Sequence, residues 1–309
     1  VPAEHVFVIT GEHLVDPIRN AGTALPSENI LAEPAKRNTS GALAYTAAAL
    51  LARYGGDGAN ISLAVTTADH DIRGPEIFRR TVGAAMTAAE RDPVLVTLGV
   101  APVRPDTGYG YIQIERESTG KLINQIMVNA VRAFHEKPSK ERAEDFIAEG
   151  SYYWNSGMFF WRISTFLSEL DAARPALSRA VRDMAEAMRN GDPARVRTLF
   201  ESLEDISIDY ALMEHAKRVA MARAEFPWDD VGAWTALDRS YSKDDRGNVT
   251  VGDPVVVDSE GCIVYNDAGA DAMAVSVVGA EDLIVVVTND AVLVIPKDRA
   301  QDVRHAVQE

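Results

Sequence analysis

The chain has 309 residues, 47% of them hydrophobic and 25% charged, with a formal net charge of −15. That length suits one large cored domain with a smaller appendage, and the acidic balance argues against the phosphate backbone of a long nucleic acid as partner; a small phosphorylated ligand stays compatible, because a divalent cation or a few basic groups can offset the repulsion. No apolar run of about 20 residues and no basic, apolar leader pattern occurs, so no membrane span or cleaved signal is expected, while Cys262 as the sole cysteine excludes an intrachain disulfide or cysteine-built metal site and fits a reducing cytoplasm.

In chain order, HVFVIT (5–10) reads as a strand and 12–22 as a helix ending near Gly22; ENILAEP (28–34) is a short strand closed by Pro34. NTSGALAYTAAALLARYGG then opens on helix-capping residues and closes on a glycine pair. The scheme repeats with strand ISLAVTTADH (61–70), helix GPEIFRRTVGAAMTAAERD and strand PVLVTLGV (93–100). Strands alternating with helices predict crossovers in a mainly parallel sheet covered on both faces, with ligands at the carboxyl ends of the strands. GYGYIQIE (108–115), KLINQIMVNAVRAFHEKP (121–138) and SYYWNSGMFFWRI (151–163) read as longer strands in or beside that sheet, and helices follow to about residue 217, with Pro175 and Pro193 at their starts. After KDDRGN (243–248) the pattern turns to short Val-rich strands separated by Gly, Asp and Asn, ending in a helix from about 298 to 307. The reading divides the chain into a catalytic-size α/β domain over 1–243 and a small β-rich domain over 244–309, which serves packing or self-association.

Polar groups at strand ends carry the candidate chemistry. Asp69 in TTADHD (66–71) can ligate a metal or cap the following helix. Asp229 and Asp230 in FPWDDVGAW (226–234) offer adjacent carboxylates to a hard cation such as Mg²⁺, or form a solvated turn. In FHEKP (134–138), Glu136 can accept two sugar hydroxyls while Lys137 offers a point charge to a phosphate on the opposite side of the strand end; the bland alternative is an exposed pair before a proline. The glycines of GYGYI (108–112) permit close backbone approach or a turn, and Arg37, Asn38 and Thr39 sit at a helix start that suits either a cap or a polar ligand. Asn155 raises a sharper question. It lies in the apolar run YYWNSGMFFW (152–161), where a buried amide without a partner costs on the order of 1–3 kcal/mol, so a polar ligand is expected to complete its hydrogen bonds.

AEPAKRNTSGA, TADHDI, TLGVAPVRPDTGYGYI, FHEKP, WNSGMFFW, SIDYALMEH and FPWDDVGAW follow in one order. This set resembles the bacterial mannose-1-phosphate guanylyltransferases, also called GDP-mannose pyrophosphorylases, from His5 to Gln308. The resemblance implies a Rossmann-like nucleotidyltransferase mixed sheet with helices on both faces and a small C-terminal β-rich domain used in a homodimer. It implies transfer of GMP from GTP to mannose 1-phosphate, releasing pyrophosphate. By the same resemblance Asp69 and Asp230 share Mg²⁺, Glu136 and Asn155 take mannose hydroxyls beside the backbone of Gly110, and Lys137 pairs with the sugar phosphate. Asn38 and Thr39 lie near guanine or ribose, and Asp209 in SIDY faces the sugar pocket. A sugar phosphate is already a nucleophile, so no general base is needed, and His70 and His135 are assigned to local packing.

The family's opening strand and Gly-rich triphosphate loop have no counterpart in the sequence, which opens at what would be the second strand. The expectation is a leading segment of roughly fifty residues ahead of Val1, about one βαβ unit with its loop. Without such a segment, the alternative is a catalytically idle sugar-phosphate-binding or assembly subunit; a nucleotidyltransferase for another sugar 1-phosphate is the second alternative.

Overall fold

The computed structural model describes residues 1–116, 120–269 and 271–308, and the chain divides into two compact units: Val1–Thr67 with Gly74–Phe226, and Ala68–Arg73 with Pro227–Glu309. In chain order the elements are β1 (Val8–Gly11), α1 (Val15–Asn20), β2 (Ile30–Glu33), α2 (Asn38–Tyr54), β3 (Ser62–Val65), β4 (Asp71–Ile72), α3 (Pro75–Arg91), β5 (Leu95–Val100), β6 (Tyr111–Ile114), β7 (Lys121–Ile123), β8 (Ile126–His135), α4 (Lys140–Glu149), β9 (Tyr152–Arg162), α5 (Ile163–Ala173), α6 (Pro175–Arg189), α7 (Pro193–Glu201) and β10 (Val219–Ala224). The chain continues through β11 (Trp228–Asp229), α8 (Leu237–Ser240), β12 (Val249–Val251), β13 (Val255–Val257), β14 (Ile263–Asn266), β15 (Ser276–Val278), β16 (Leu283–Val287), β17 (Val292–Pro296) and α9 (Val303–Gln308).

The first unit is built around β9. Its eleven residues pair antiparallel with β3 through Phe159–Arg162, with β5 through Trp154–Phe160 and with β6 through Tyr152–Trp154. The resulting seven-stranded sheet runs β10-β5-β9-β6-β8-β7, with β3 also on β9. Its one parallel pair among the described residues is β10 with β5, and β1 pairs parallel with β2 in a separate ribbon. The sheet is mixed, as the family resemblance implied; the mainly parallel sheet expected from strand–helix alternation is corrected, because β9 inserts antiparallel beside strands that alternation alone would have paired in parallel. Phe159 and Trp161 enter a core with Leu43, Ala44 and Ala47 of α2, Phe166 of α5 and Val181 and Met184 of α6. Strand alternation turns the buried Met158 and Phe160 to the other face, where α3 crosses the sheet.

The 121–138 segment is not one long strand. Asn124 and Gln125 both take positive φ, 48° and 66°, and Ile123 pairs with Ile126 across them. Two left-handed residues make a tight hairpin whose twist matches its strands, so the segment folds back as β7 and β8.

In the second unit, β12, β14 and β16 stack in parallel and β17 closes the sheet antiparallel, while β13 pairs parallel with β15. Alternate residues of β14 and β16 fill two cores: Ile263, Ile284 and Val286 pack with Leu237 and Val249, and Val264, Val285 and Val287 pack with Cys262 and Val277. Strands buried on both faces read as unbroken apolar runs, as the Val-rich sequence does. Ala68–Arg73 belongs to this unit because β4 pairs with β11, Ile72 opposite Trp228 and Asp71 opposite Asp229. Among the described residues no helix is long and apolar enough to cross a membrane.

Candidate active site

A cluster of polar side chains forms in the first unit where the residues just beyond β8 and the first half of β9 flank Gly110, the residue that leads into β6. Gly110 is its floor: its carbonyl accepts the Asn155 N–H at 2.8 Å, and the Tyr109 carbonyl accepts the Lys137 N–H at 3.3 Å. A Cβ on residue 110 would collide with Glu136 Oε2 and crowd Phe134 and Asn155, so the close approach of Glu136 requires glycine here. Glu136 is only 10% exposed, and its Oε2 is buried without a hydrogen-bond partner among the described residues. Burial, joined by Asp209 and Glu214 and opposed by Lys137, pushes its carboxyl up to about 7.

The Lys137 ammonium lies 3.9 Å from Glu136 Oε1 and is 55% exposed. The two heads therefore sit side by side, not on opposite sides of the strand end as expected. Alternation holds only for extended backbone, and Lys137 takes a left-handed φ of 47° just beyond β8.

Asn155 also departs from expectation. Its Oδ1 accepts from the Thr97 hydroxyl at 3.0 Å and from the Gly157 N–H at 3.3 Å, and its Nδ2 donates to Asp209 Oδ1 at 2.9 Å. The amide is satisfied inside the protein, so burial alone demands no sugar. Thr97, fully buried on β5, is a member of the site that the sequence did not single out; only its position opposite β9 reveals it. Asp209 is held above the usual carboxylate range by burial, partly offset by its hydrogen bonds.

Asn38 begins α2 with φ 55°, and its Oδ1 accepts the Thr39 N–H at 2.9 Å. Thr39 does not cap the helix with its hydroxyl; Oγ1 instead accepts the Ile208 N–H at 2.8 Å, tying the start of α2 to the residue before Asp209. Arg37, just before α2, donates to the Glu201 carbonyl at the end of α7. His135 stacks on Phe146 with centroids 5.1 Å apart, the packing role assigned to it.

The second unit holds the other two predicted acids. Asp69 does not cap α3, whose first residue follows Gly74, and its side chain is 83% exposed. Asp69 and Asp230 flank the β4–β11 ribbon at one end, where both act on His70; the Asp69 carboxylate is 4.0 Å from His70 Nε2. His70 packs edge-on against Trp228 and accepts its indole N–H at 3.0 Å, with burial holding the imidazole below its usual range. Asp229 is committed elsewhere, to Arg239 and to the Val231 N–H. Gly232 accommodates Asp230, since a Cβ there would come 2.7 Å from Asp230 Oδ2. No group of three or more His, Cys, Asp or Glu arranged for a metal exists among the described residues. A pair of hard oxygen donors suits Mg²⁺, which keeps several waters and completes its shell with phosphates.

The nucleotidyl transferase family model matches residues 4–246. The chain belongs to the nucleotidyl transferase family. A second family model, the mannose-phosphate isomerase/GMP-like beta-helix domain, matches residues 252–309. The alginate biosynthesis protein AlgA of Pseudomonas aeruginosa is 40% identical over 294 residues, covering 92% of this chain and 57% of that protein. A mannose-1-phosphate guanylyltransferase of Klebsiella pneumoniae is 39% identical over 284 residues, covering 91% and 58%. A crystal structure of mannose-1-phosphate geranyltransferase from Thermus thermophilus shares 34% identity with a TM-score of 0.83, covering 100% of this chain and 84% of that one. The chain thus spans 57–58% of the length of these two curated relatives, and the nucleotidyltransferase fold with its β-rich C-terminal domain is common to the family and the structural neighbour.

Proposed function

We propose that this chain catalyses guanylyl transfer from GTP to mannose 1-phosphate, yielding GDP-mannose and pyrophosphate. The observation that carries the reading is the orphaned Oε2 of Glu136 over Gly110 with the Lys137 ammonium alongside. A buried acceptor next to an accessible cation is the pairing that a phosphorylated sugar needs, hydroxyls to one and phosphate to the other. Relatives carrying the guanylyltransferase name at 39% identity support the choice of mannose and guanine.

In this reading a non-bridging oxygen of mannose 1-phosphate bonds to the α-phosphorus of GTP while the bond to the α,β-bridging oxygen breaks, and pyrophosphate leaves with that electron pair. Glu136 and Asn155 orient the sugar, Asp209 holds Asn155 in place, and Lys137 steadies the nucleophilic phosphate in line with the leaving group. Asn38 and Thr39 contribute to the nucleoside side. Asp69 and Asp230 would hold the divalent cation, taken as Mg²⁺, which when bound offsets charge on the phosphates. A cytoplasmic setting belongs to the same reading, supported by Cys262 as the sole cysteine. Outward valines on the β-rich unit, Val292 and Val294 of the edge strand β17 among them, support a homodimer.

The test is pyrophosphate release from GTP and mannose 1-phosphate by wild type, Asp230→Ala and Glu136→Ala, with Mg²⁺ and with EDTA. Chelation and Asp230→Ala should each abolish turnover, and Glu136→Ala should raise KM for mannose 1-phosphate at least tenfold more than KM for GTP, on the scale of a lost charged hydrogen bond. Turnover indifferent to EDTA and Asp230→Ala, or equal KM increases for both substrates, would overturn the reading.

A further inference from the structure

The turn Asp209–Met213, closed by an i+5 bond from the Glu214 N–H to the Asp209 carbonyl at 3.0 Å, grips the pocket from both sides. Asp209 at its start holds β9 through Asn155 Nδ2. Glu214 at its end reaches the tip of β8, where its Oε1 accepts the Glu136 N–H at 3.3 Å. Glu214 itself is exposed, so core packing does not account for its placement. We propose that Glu214 is a positioning residue: by holding the strand end that carries Glu136 and Lys137, it sets the affinity for the sugar 1-phosphate without touching the sugar. This rests on the reading of the pocket as the sugar subsite.

A second effect accompanies the mechanical one. The charged and titratable groups facing Glu136 are Asp209, Glu214, Tyr210 and Lys137, and only the last favours its ionised form. An ionised Glu136 accepts two hydroxyls, whereas its protonated form keeps one oxygen for its own hydrogen. Sugar affinity should therefore rise with pH through about 7, the value at which burial and these neighbours place the Glu136 carboxyl. Removing the Glu214 charge while keeping its acceptor oxygen lowers that midpoint.

The experiment measures binding of mannose 1-phosphate and of GTP to the full-length enzyme between pH 5.5 and 8.5 for wild type, Glu214→Ala and Glu214→Gln, together with the carboxyl-carbon NMR titration of Glu136 in the ligand-free protein. Glu214→Ala should weaken mannose 1-phosphate by about tenfold at pH 8.5 and leave GTP within about twofold, the size expected when a hydrogen bond to a charged group is lost. Glu214→Gln should restore most of that affinity at pH 8.5 and titrate Glu136 at a lower pH than wild type. An unchanged mannose 1-phosphate affinity in Glu214→Ala, equal weakening of both substrates, or a Glu136 midpoint unmoved in Glu214→Gln overturns the proposal; should the alanine variant not fold, the glutamine variant decides it alone. If wild type binds no mannose 1-phosphate, the subsite reading falls, while the Glu136 titration still decides whether Glu214 governs that carboxyl.

Discussion

The sugar-binding role proposed for Glu136 carries a cost to the fold. Its carboxyl is raised, so between the ordinary carboxylate range and about pH 7 the folded chain holds a proton that the unfolded chain has released. Stability contributed by that proton is complete at low pH and is lost as pH rises through about 7. Glu136→Gln mimics the protonated form permanently. It should melt with wild type at pH 4 and distinctly above it at pH 8, read by calorimetry at the two pH values; equal melting temperatures at both would show that Glu136 ionises freely. Asn155 sits at the same scale with the opposite logic. Its amide is satisfied by Thr97, Asp209 and the Gly157 N–H, so Asn155→Ala should cost about 1–3 kcal/mol in denaturant unfolding, because Asp209 would be left half-buried without its donor. An unfolding midpoint like wild type's would contradict that accounting.

At the scale of elements, the pocket exists because strand ends stop behaving as strands. β8 ends at His135, and the left-handed Lys137 swings its ammonium to the side of Glu136. Gly110 lets that carboxylate lie on the backbone leading into β6. Gly110→Ala separates the two functions of this geometry. The atom that a Cβ would strike is the far end of a flexible side chain, so the fold should lose only about 1 kcal/mol as Glu136 swings away. Sugar affinity should fall at least tenfold, since the displaced carboxylate is the intended acceptor. Titration calorimetry with mannose 1-phosphate beside a urea melt checks both halves, and a variant that binds like wild type would remove Gly110 from the site.

At the scale of the molecule, the β-rich unit presents apolar side chains that its own cores do not use. Along β17, Leu293 and Ile295 turn inward while Val292 and Val294 face out at 64% and 61% exposure, and Val255, Val257 and Val278 are likewise exposed on β13 and β15. An apolar edge strand with unpaired backbone is a template for association. If the proposed homodimer forms through this edge, replacing Val292 and Val294 with lysine should convert it into monomers in light scattering while leaving the melting temperature within a few degrees. A dimer that survives both charges would move self-association to another surface.

Periodicity and glycine punctuation were sufficient to determine the α/β class, the β-rich ending and an extended segment over 151–163, because each is a local pattern along the chain, and the family followed from the resemblance carried by the ordered strand-end motifs. The antiparallel insertion of β9, the hairpin at Asn124–Gln125 and the side-by-side placement of Glu136 and Lys137 were decided by tertiary structure, since each depends on which strand becomes a neighbour or on a single left-handed residue. The same holds for Asn155. Its partners lie 58 and 54 residues away in the chain, on Thr97 and Asp209, and no local pattern reports a hydrogen bond closed across a sheet.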